Sequence, residues 1–567
     1  MERFPDQEPM PRGPGAPVFR ILAADKLAEE GLAFLRSQSD VQLHNRPGLN
    51  ESDLAAAVRE HDGMIVRSGA QVSAKVLSIP GFLRAIARAG VGVDNIDIEE
   101  ATARGILVMN CAEANTISAA EHTFALLLAL CRQIAPAAQS MGLGKWERSR
   151  FVGRQLHGMT LGIAGFGRIG QAVAERALGF GMSVVAYDPI YNAPKALDGR
   201  VKMYGALEQM LPLVDVVSCH VPLNEHTRGM LNRTTLGACR PGVLVLNVSR
   251  GGVVDEQALL EAVESGVCGG AALDVFETEP PPGDSPLRTH PRILVTPHLG
   301  ASTLEAQRAV SIRAAEQLLA YLRGQGLSGA VNAGGLRVDL DPNQAAFVDL
   351  AQRMTQLLSP MLTQGIRAVT IELTGEPLEG AAGTIERTAL VGLLASHLDT
   401  PLNVVNVRHV AEQRGISTRT IMRDTDKVVG EQLVIVVEGP EGARRIVGRV
   451  YEDMRPRVIE INGYHMDMVP TGHMVLIQNV DQPGMLGLVG TEFGQGGVNI
   501  ADMAISRRDQ TALMLLKCDA PPPEALIEQL RGRPGILKVA VLKLPEARPA
   551  SSGNQATALF PNAGRSQ

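Results

Sequence analysis

The 567-residue chain is short of what several function classes require. Aromatic residues make up 3% of it and Trp146 is its one tryptophan, so no platform for stacking successive bases is present. Charge of basic sign is not in excess. The formal net charge is −6, which gives no electrostatic footprint for nucleic acid. The six cysteines (Cys111, Cys131, Cys219, Cys239, Cys268 and Cys518) show no CxxC pair and no metal-ligand spacing. Most sit beside apolar residues and read as reduced core thiols of a cytoplasmic protein, with no metal expected. Long hydrophobic runs are absent too. The stretch TFALLLALC, just after Glu121 and His122, is too short to span a bilayer, so no membrane partner is expected. The N-terminal MERFPDQEPMPRGPGAP lacks the apolar region of a secretory signal. Residues 1–17 and the polar residues 547–567 read as disordered tails.

What the chain does have is length and alternation. Its size implies about three or four domains. An apolar run at Val18–Ala24, the helical pattern KLAEEGLAFL, and further runs at GMIVRS, FLRAIARAG and GILVMN make a small α/β unit ending near residue 112. NTISAAEHTFALLLALCRQI reads as one long buried helix. From there to residue 297, strands LGIAG, SVVAYD, VDVVSCH, VLVLNVS, GAALDV and ILVTPH alternate with helices over short connections. Alternation of this kind specifies a doubly wound parallel sheet, and the continuously apolar strands fit one covered on both faces. EAQRAVSIRAAEQLLAYLRG is a further helix within residues 298–330. Residues 331–470 have an α/β texture without a titratable cluster, and residues 471–546 follow a βαββαβ pattern, a small ferredoxin-like module.

The most informative segment is MTLGIAGFGRIG, followed by Asp188, which lies 18 residues after Gly170. Gly165 permits the tight turn, Gly167 lets backbone approach a pyrophosphate, and Gly170 lets helix pack on strand. The helix N-terminus presents free N–H groups and a positive dipole end to the phosphates. A carboxylate at Asp188 accepts from ribose hydroxyls and repels a 2′-phosphate, which favours NAD over NADP.

Ligands of such sheets bind at the C-terminal edge of the strands. Arg250 (NVSRGGVVDE), Glu279 (ALDVFETEP) and His298 (VTPHLGAST) all fall there, as do His220, Ser249 and Asp274. Oxidising a secondary alcohol needs a base for the hydroxyl proton, and imidazole is suited to that near neutral pH. A carboxylate on its other nitrogen fixes the tautomer. Guanidinium grips a carboxylate or polarises the oxygen beside it. Arg67, Arg88 and Arg148 are additional cations, suited to a phosphorylated acid if they face one cleft.

RAGVGVDNID, NTISAAEHT, GKWER, AGFGRIG, NVSRGGVVDE, GGAALDVFETEP and TPHLGAST resemble, in order, the signatures of the D-2-hydroxyacid dehydrogenases. Over residues 18–546 the resemblance is to the phosphoglycerate-oxidising branch, in its long form with an intervening domain and a C-terminal ACT domain. It implies a Rossmann-like NAD domain (residues 113–297) inserted into a substrate domain (18–112 and 298–330), with closure between the two excluding water. It also implies Arg250, Glu279 and His298 as the catalytic trio. Arg168 and Ile169 are implied at the pyrophosphate. Val91, Val221, Val248, Ser249 and Asp274 are implied around the nicotinamide half, with Leu299, Gly300 and Ala301 beside it. Arg67, Arg88, Arg148 and Arg250 become substrate-binding candidates. The implied reaction is NAD-dependent oxidation of 3-phospho-D-glycerate to 3-phosphohydroxypyruvate, the entry step of L-serine synthesis. In the ACT-like segment Asp481, Gly484 and Asn499 are candidates for binding L-serine as a feedback effector. A homo-oligomer, by family expectation a tetramer, is also implied. The alternatives are a related dehydrogenase of hydroxypyruvate, glyoxylate or 2-hydroxyglutarate, and, from another class, an NAD-sensing corepressor-like binding protein.

Overall fold

The computed structural model describes residues 19–190, 196–362, 365–395, 397–398, 401–424 and 430–546. Both expected tails lie outside the described residues. Four sheets account for the strands.

The first comprises β1 (Phe19–Ala23), β2 (Val41–Asn45), β3 (Gly63–Val66), β4 (Ala85–Arg88) and β5 (Leu107–Asn110), in the order β2-β1-β3-β4-β5. Every pairing in it is parallel. The helix Leu304–Leu322 returns to this unit and packs Val310, Ala314, Ala315 and Leu318 against Ile21, Ile65 and Ala87. The chain stays on this lobe a little further: Val331 N–H donates to Val108 O, and Asn332 bonds Val108 N–H and Ile106 O.

The second comprises β6 (Thr160–Ala164), β7 (Ser183–Tyr187), β8 (Val201–Tyr204), β9 (Val216–Cys219), β10 (Val243–Asn247), β11 (Cys268–Leu273) and β12 (Ile293–Val295). Its order is β12-β11-β10-β9-β6-β7-β8, parallel throughout. This is the doubly wound α/β architecture expected. The order reverses between β6 and β9, where such sheets open a crevice for a dinucleotide. The cores on the two faces contain Val217, Val245 and Leu273 on one side and Leu161, Ile163 and Leu246 on the other.

Two edge strands escape the sequence reading. β2 (VQLHN) and β8 (VKMY) are only partly buried and short of apolar residues, so neither stands out as a hydrophobic run. The expected single helix at 115–134 is also broken. It runs Thr116–Cys131, Gln133 turns left-handed at φ 51°, and a second helix covers Ile134–Gly142. Pro136 explains the break. Lacking an N–H, it fits only the first turn of a new helix, not the interior of a continuing one. No single helix among the described residues is long and apolar enough to cross a membrane.

The third sheet contains β13 (Ala368–Thr374), β14 (Ser417–Arg423), β15 (Gln432–Gly439), β16 (Gly442–Val450), β17 (Pro456–Ile461) and β18 (Tyr464–Met468), ordered β14-β13-β15-β16-β17-β18. The fourth contains β19 (Gly472–Val480), β20 (Ile500–Arg508), β21 (Thr511–Cys518) and β22 (Ile536–Leu544). Its order β20-β21-β19-β22 is the ferredoxin-like arrangement. The helices Pro342–Leu358 and Ala382–Leu394 share one core with both sheets: Leu350, Leu390, Ile435, Leu476 and Leu515 all belong to it. Arg353, 1% exposed, fastens them. Its guanidinium donates to Asp349 Oδ2 and to the carbonyls of Pro470, Pro545 and Glu546.

The middle segment does hold a titratable cluster, contrary to expectation. Glu386, 4% exposed, takes a bidentate pair from Arg408 (2.7 and 2.6 Å) and the hydroxyl of Thr420 (2.7 Å). Arg387 beside it donates to the carbonyls of Val404, Val405 and Gly334. Burial pushes the Glu386 carboxyl up, but the Arg408 and Thr420 bonds outweigh it and hold it below the usual range. Separations of 22 and 34 residues hid the cluster in the sequence.

Replacing Arg408 by Leu is expected to cost about 3–5 kcal/mol at pH 7, because a buried carboxylate loses its partner. The paired Glu386 is depressed, so its contribution is full above the ordinary carboxyl range and is lost as pH falls through the folded value. Denaturant midpoints of R408L and the parent should therefore differ clearly at pH 7 and draw together only as pH falls below the ordinary carboxyl range.

Candidate active site

The glycine-rich turn joins β6 to the helix Arg168–Gly179. Gly165 has φ 96°, and a Cβ there would lie 2.5 Å from His220 O. A Cβ on Gly170 would lie 2.2 Å from Gly165 O, so this glycine serves the close contact of helix and strand. Gly167 differs. It is exposed at the helix N-cap, and a Cβ on it meets nothing within 4 Å. That open approach to free helical N–H groups is a cradle fitting a pyrophosphate. Asp188, just past β7, accepts Phe166 N–H and Ile190 N–H, each at 2.8 Å, which ties it to the same turn. Arg168 is exposed and pairs with Glu113, and Ile169 is half-buried next to it.

On the other side of the switch point, His298 Nδ1 lies 2.7 Å from Glu279 Oε2. The other Glu279 oxygen accepts Phe276 N–H at 3.1 Å. Burial pushes the Glu279 carboxyl up, but the His298 hydrogen bond and charge and the Phe276 N–H outweigh this and hold it below its ordinary range. Glu279 is thus a carboxylate at neutral pH, and His298 Nδ1 carries the proton between them. That leaves Nε2 as the other ring nitrogen of a side chain 49% exposed.

Arg250 follows β10. Asn247 Nδ2 donates to its carbonyl, Arg250 Nη1 donates to Ser249 O at 2.6 Å, and Nε reaches Asp94 Oδ2 of the first lobe at 3.2 Å. A Cβ on Gly92 would lie 2.1 Å from Arg250 Nη2, so this glycine makes room for the guanidinium. Arg88, at the end of β4, feels burial first, then the charges of Arg250 and Arg67, and is lowered to about 10. Its Nε is buried without a hydrogen-bond partner. Arg67 donates Nη1–H to Lys26 O. Three of the four candidate guanidiniums therefore belong to one positive cluster facing Asp94. Arg148, exposed in the short turn Arg148–Arg150, is not among the charges that act on Arg88.

The remaining candidates line the same edge. Ser249, 9% exposed, donates to Asn247 Oδ1. Val221 and Val248 are each 8% exposed, Val221 against Gly165 and Val248 against Gly300. Val91 O accepts from Asn110 Nδ2. Leu299 is partly exposed, Gly300 is buried and Ala301 half-buried. Asp274 Oδ1 accepts from Leu299 N–H and Thr296 Oγ1 and lies 3.1 Å from His122 Nε2, while Oδ2 takes Gly300 N–H. His220 is half-buried by surface exposure; its imidazole is pushed down to about 4 by burial and bonds Ser218 Oγ. The sequence reading passed over Asp94, His122, Thr296 and Asn247 as site residues. All four stand inside segments it singled out (VGVDN, AEHT, TPHLGAST and NVSRGGVVDE), but nothing in the local pattern says what they touch.

Residues 124–300 match the D-isomer specific 2-hydroxyacid dehydrogenase, NAD binding domain, and residues 344–462 match the D-3-phosphoglycerate dehydrogenase intervening domain. The chain is 36% identical over 530 residues to D-3-phosphoglycerate dehydrogenase of Bacillus subtilis, across 93% of this chain and 100% of that one. The chain belongs to the D-3-phosphoglycerate dehydrogenases. It is also 36% identical over 529 residues to the Methanocaldococcus jannaschii D-3-phosphoglycerate dehydrogenase, across 93% of this chain and 100% of that one. A crystal structure of a protein from Thermus thermophilus superposes with a TM-score of 0.51 at 36% identity, covering 55% of this chain and 99% of that one. As a member of the D-3-phosphoglycerate dehydrogenases, the protein is an NAD-dependent oxidoreductase.

The glycines give a clean test of the cradle. Gly167→Ala should leave the melting temperature close to the parent's, as surface changes do within about 0.5 kcal/mol, while weakening NADH binding read by nicotinamide fluorescence. Gly165→Ala, clashing at positive φ, should lower the melting temperature as well.

Proposed function

We propose that this site oxidises 3-phospho-D-glycerate to 3-phosphohydroxypyruvate, with His298 as acid/base, Glu279 as its partner and Arg250 on the substrate's carboxylate and C2 oxygen. The 2.7 Å His298–Glu279 bond at the carboxyl edge of the nucleotide sheet is the observation that carries the reading. Gly165, Gly167, Arg168, Ile169, Gly170 and Asp188 would hold the pyrophosphate and adenosine ribose. Val91, Val221, Val248, Ser249, Asp274 and Leu299–Ala301 would hold the nicotinamide half, with the remaining Asp274 Oδ2 lone pair taking the carboxamide. When bound, NAD supplies the two-electron acceptor for the hydrogen on C2.

His298 Nε2 takes the C2 hydroxyl proton as the alcohol is oxidised. Glu279 holds Nδ1–H and stabilises the imidazolium that results. Arg250 carries a permanent positive charge and anchors the carboxylate, which sets C2 and its oxygen beside the imidazole. Arg67 and Arg88 supply positive charge from the other lobe, suited to the phosphate, with Arg148 a further candidate. Asp94 neutralises Arg250 across the lobes until a substrate carboxylate competes for it.

Asp481, Gly484 and Asn499 are proposed to bind L-serine in an ACT-type module. Asp481 pairs with Arg507 at 3.4 Å, Gly484 caps a helix at φ 92°, and Asn499 donates to Asp519. A homo-oligomer, taken as a tetramer, is supported by the apolar side chains Ile134, Met141, Leu143, Trp146 and Val152, each more than half exposed on one stretch of chain. Six buried free thiols support a reducing, cytoplasmic setting.

His298→Ala should lower kcat with 3-phosphoglycerate by a factor on the order of 10³ or more while NADH still binds. Near-parent turnover would refute the assignment. Arg88→Ala should raise KM for 3-phosphohydroxypyruvate far more than for hydroxypyruvate. Millimolar L-serine should slow the enzyme or raise its melting temperature, and no effect on either would remove the effector reading.

A further inference from the structure

His298 stands on strained backbone. Its φ is 55°, a left-handed conformation that costs a non-glycine residue on the order of 1 kcal/mol or more. The loop that carries it is held chiefly through Asp274, with His298 N–H also donating to Thr296 O at 3.0 Å. The Asp274 carbonyl accepts His298 N–H at 2.9 Å. The Asp274 carboxylate accepts the next two backbone amides, Leu299 N–H and Gly300 N–H, each at 2.8 Å. Three consecutive N–H groups of the loop that carries the imidazole are thus bound by a single side chain and its own backbone.

The carboxylate is in turn held from behind. Thr296 Oγ1 donates to Asp274 Oδ1 at 2.6 Å, which leaves the hydroxyl lone pairs facing outward. His122, from the helix Thr116–Cys131, places Nε2 at 3.1 Å from Asp274 Oδ1 and 3.2 Å from Thr296 Oγ1. Both atoms facing Nε2 are acceptors, so Nε2 carries the proton and His122 is a donor. Asp274 is fully buried, and a buried carboxylate keeps its place only while its acceptor capacity is met. His122 lies more than 150 residues from Asp274 in sequence and does not reach His298 itself.

We propose that His122 is a positioning residue for the reaction: its Nε2–H fixes the Asp274 carboxylate, and through it the turn that aims the His298 imidazole. This rests on the reading of His298 as the acid/base. The arrangement converts packing of the first helix of the nucleotide domain into placement of the working nitrogen, and a misplacement of about 1 Å there costs up to 100-fold in rate.

The test compares His122→Phe, which keeps a ring and removes the donor, with His122→Gln, which keeps a side-chain N–H. Kinetics are read on the full chain with NAD and 3-phosphoglycerate, and NADH affinity from nicotinamide fluorescence. H122F should lose about 10- to 100-fold in kcat with KM for 3-phosphoglycerate within about twofold of the parent, and H122Q should recover most of the loss. The double variant H122F/H298A should be no slower than H298A, because the effect acts through His298. Parent-like kcat in H122F, failure of H122Q to recover, or an additive loss in the double variant would each overturn the proposal. If H122F does not fold, Thr296→Val decides in its place: it removes the other side-chain donor on Oδ1 and should slow kcat in the same way, whereas an unchanged kcat overturns the proposal. H298A alone separates the two readings. If it turns over normally the acid/base assignment has failed; if it is dead while H122F is fast, only the role of His122 has.

Discussion

The hydrogen bond between His298 Nδ1 and Glu279 Oε2 joins residues 19 apart, and both are delivered by loops at the carboxyl edge of one sheet. β11 ends at Leu273 and β12 at Val295, paired in parallel, so the loops that follow them emerge side by side. The carboxylate and the imidazole meet because two adjacent strands stop at the same level. The turn beginning at Gly165 leaves β6, on the far side of β9 and β10, at that same edge. A dinucleotide laid across the switch point would therefore run from the glycine turn towards the imidazole without any strand changing direction.

Charge is arranged across the cleft with the same economy. The nucleotide lobe contributes Arg250, and the other lobe contributes Arg88 and Arg67, close enough that Arg88 is lowered by both. Asp94 offsets part of that field from within the first lobe. Like charges held together at partial burial are costly when unmatched, and an anionic ligand relieves the cost as it binds. The cluster thus favours a doubly anionic acid over a neutral alcohol before any shape is considered.

Most of the nucleotide domain was legible because its signals are local. Gly165, Gly167 and Gly170 sit in one turn, and each apolar strand ends in a polar residue. Glu279 and His298 could be paired only because the strand pattern put both at one edge. What stayed hidden was of two kinds. β2 and β8 are edge strands with few apolar side chains, so the periodicity that betrays a covered strand is missing. The Glu386–Arg408 pair, the His122–Asp274 bond and the Asp94–Arg250 contact each join distant positions through ordinary polar residues. Local pattern carries no information about which carboxylate meets which cation across a fold.

The C-terminal half is attached to one lobe in a way that gives it leverage. Asn403 and Asn406 donate to the carbonyls of Gly105 and Ala103, Arg387 holds Gly334, and Val404 and Val405 lie in the core beneath the first sheet. Arg353 then clamps the last sheet to the third. Those bolts fall on the lobe carrying Arg67 and Arg88, at a distance from the glycine turn. Any strain carried from the far end of the molecule through these contacts therefore arrives first at the side of the site that carries the cations, and not at the glycine turn.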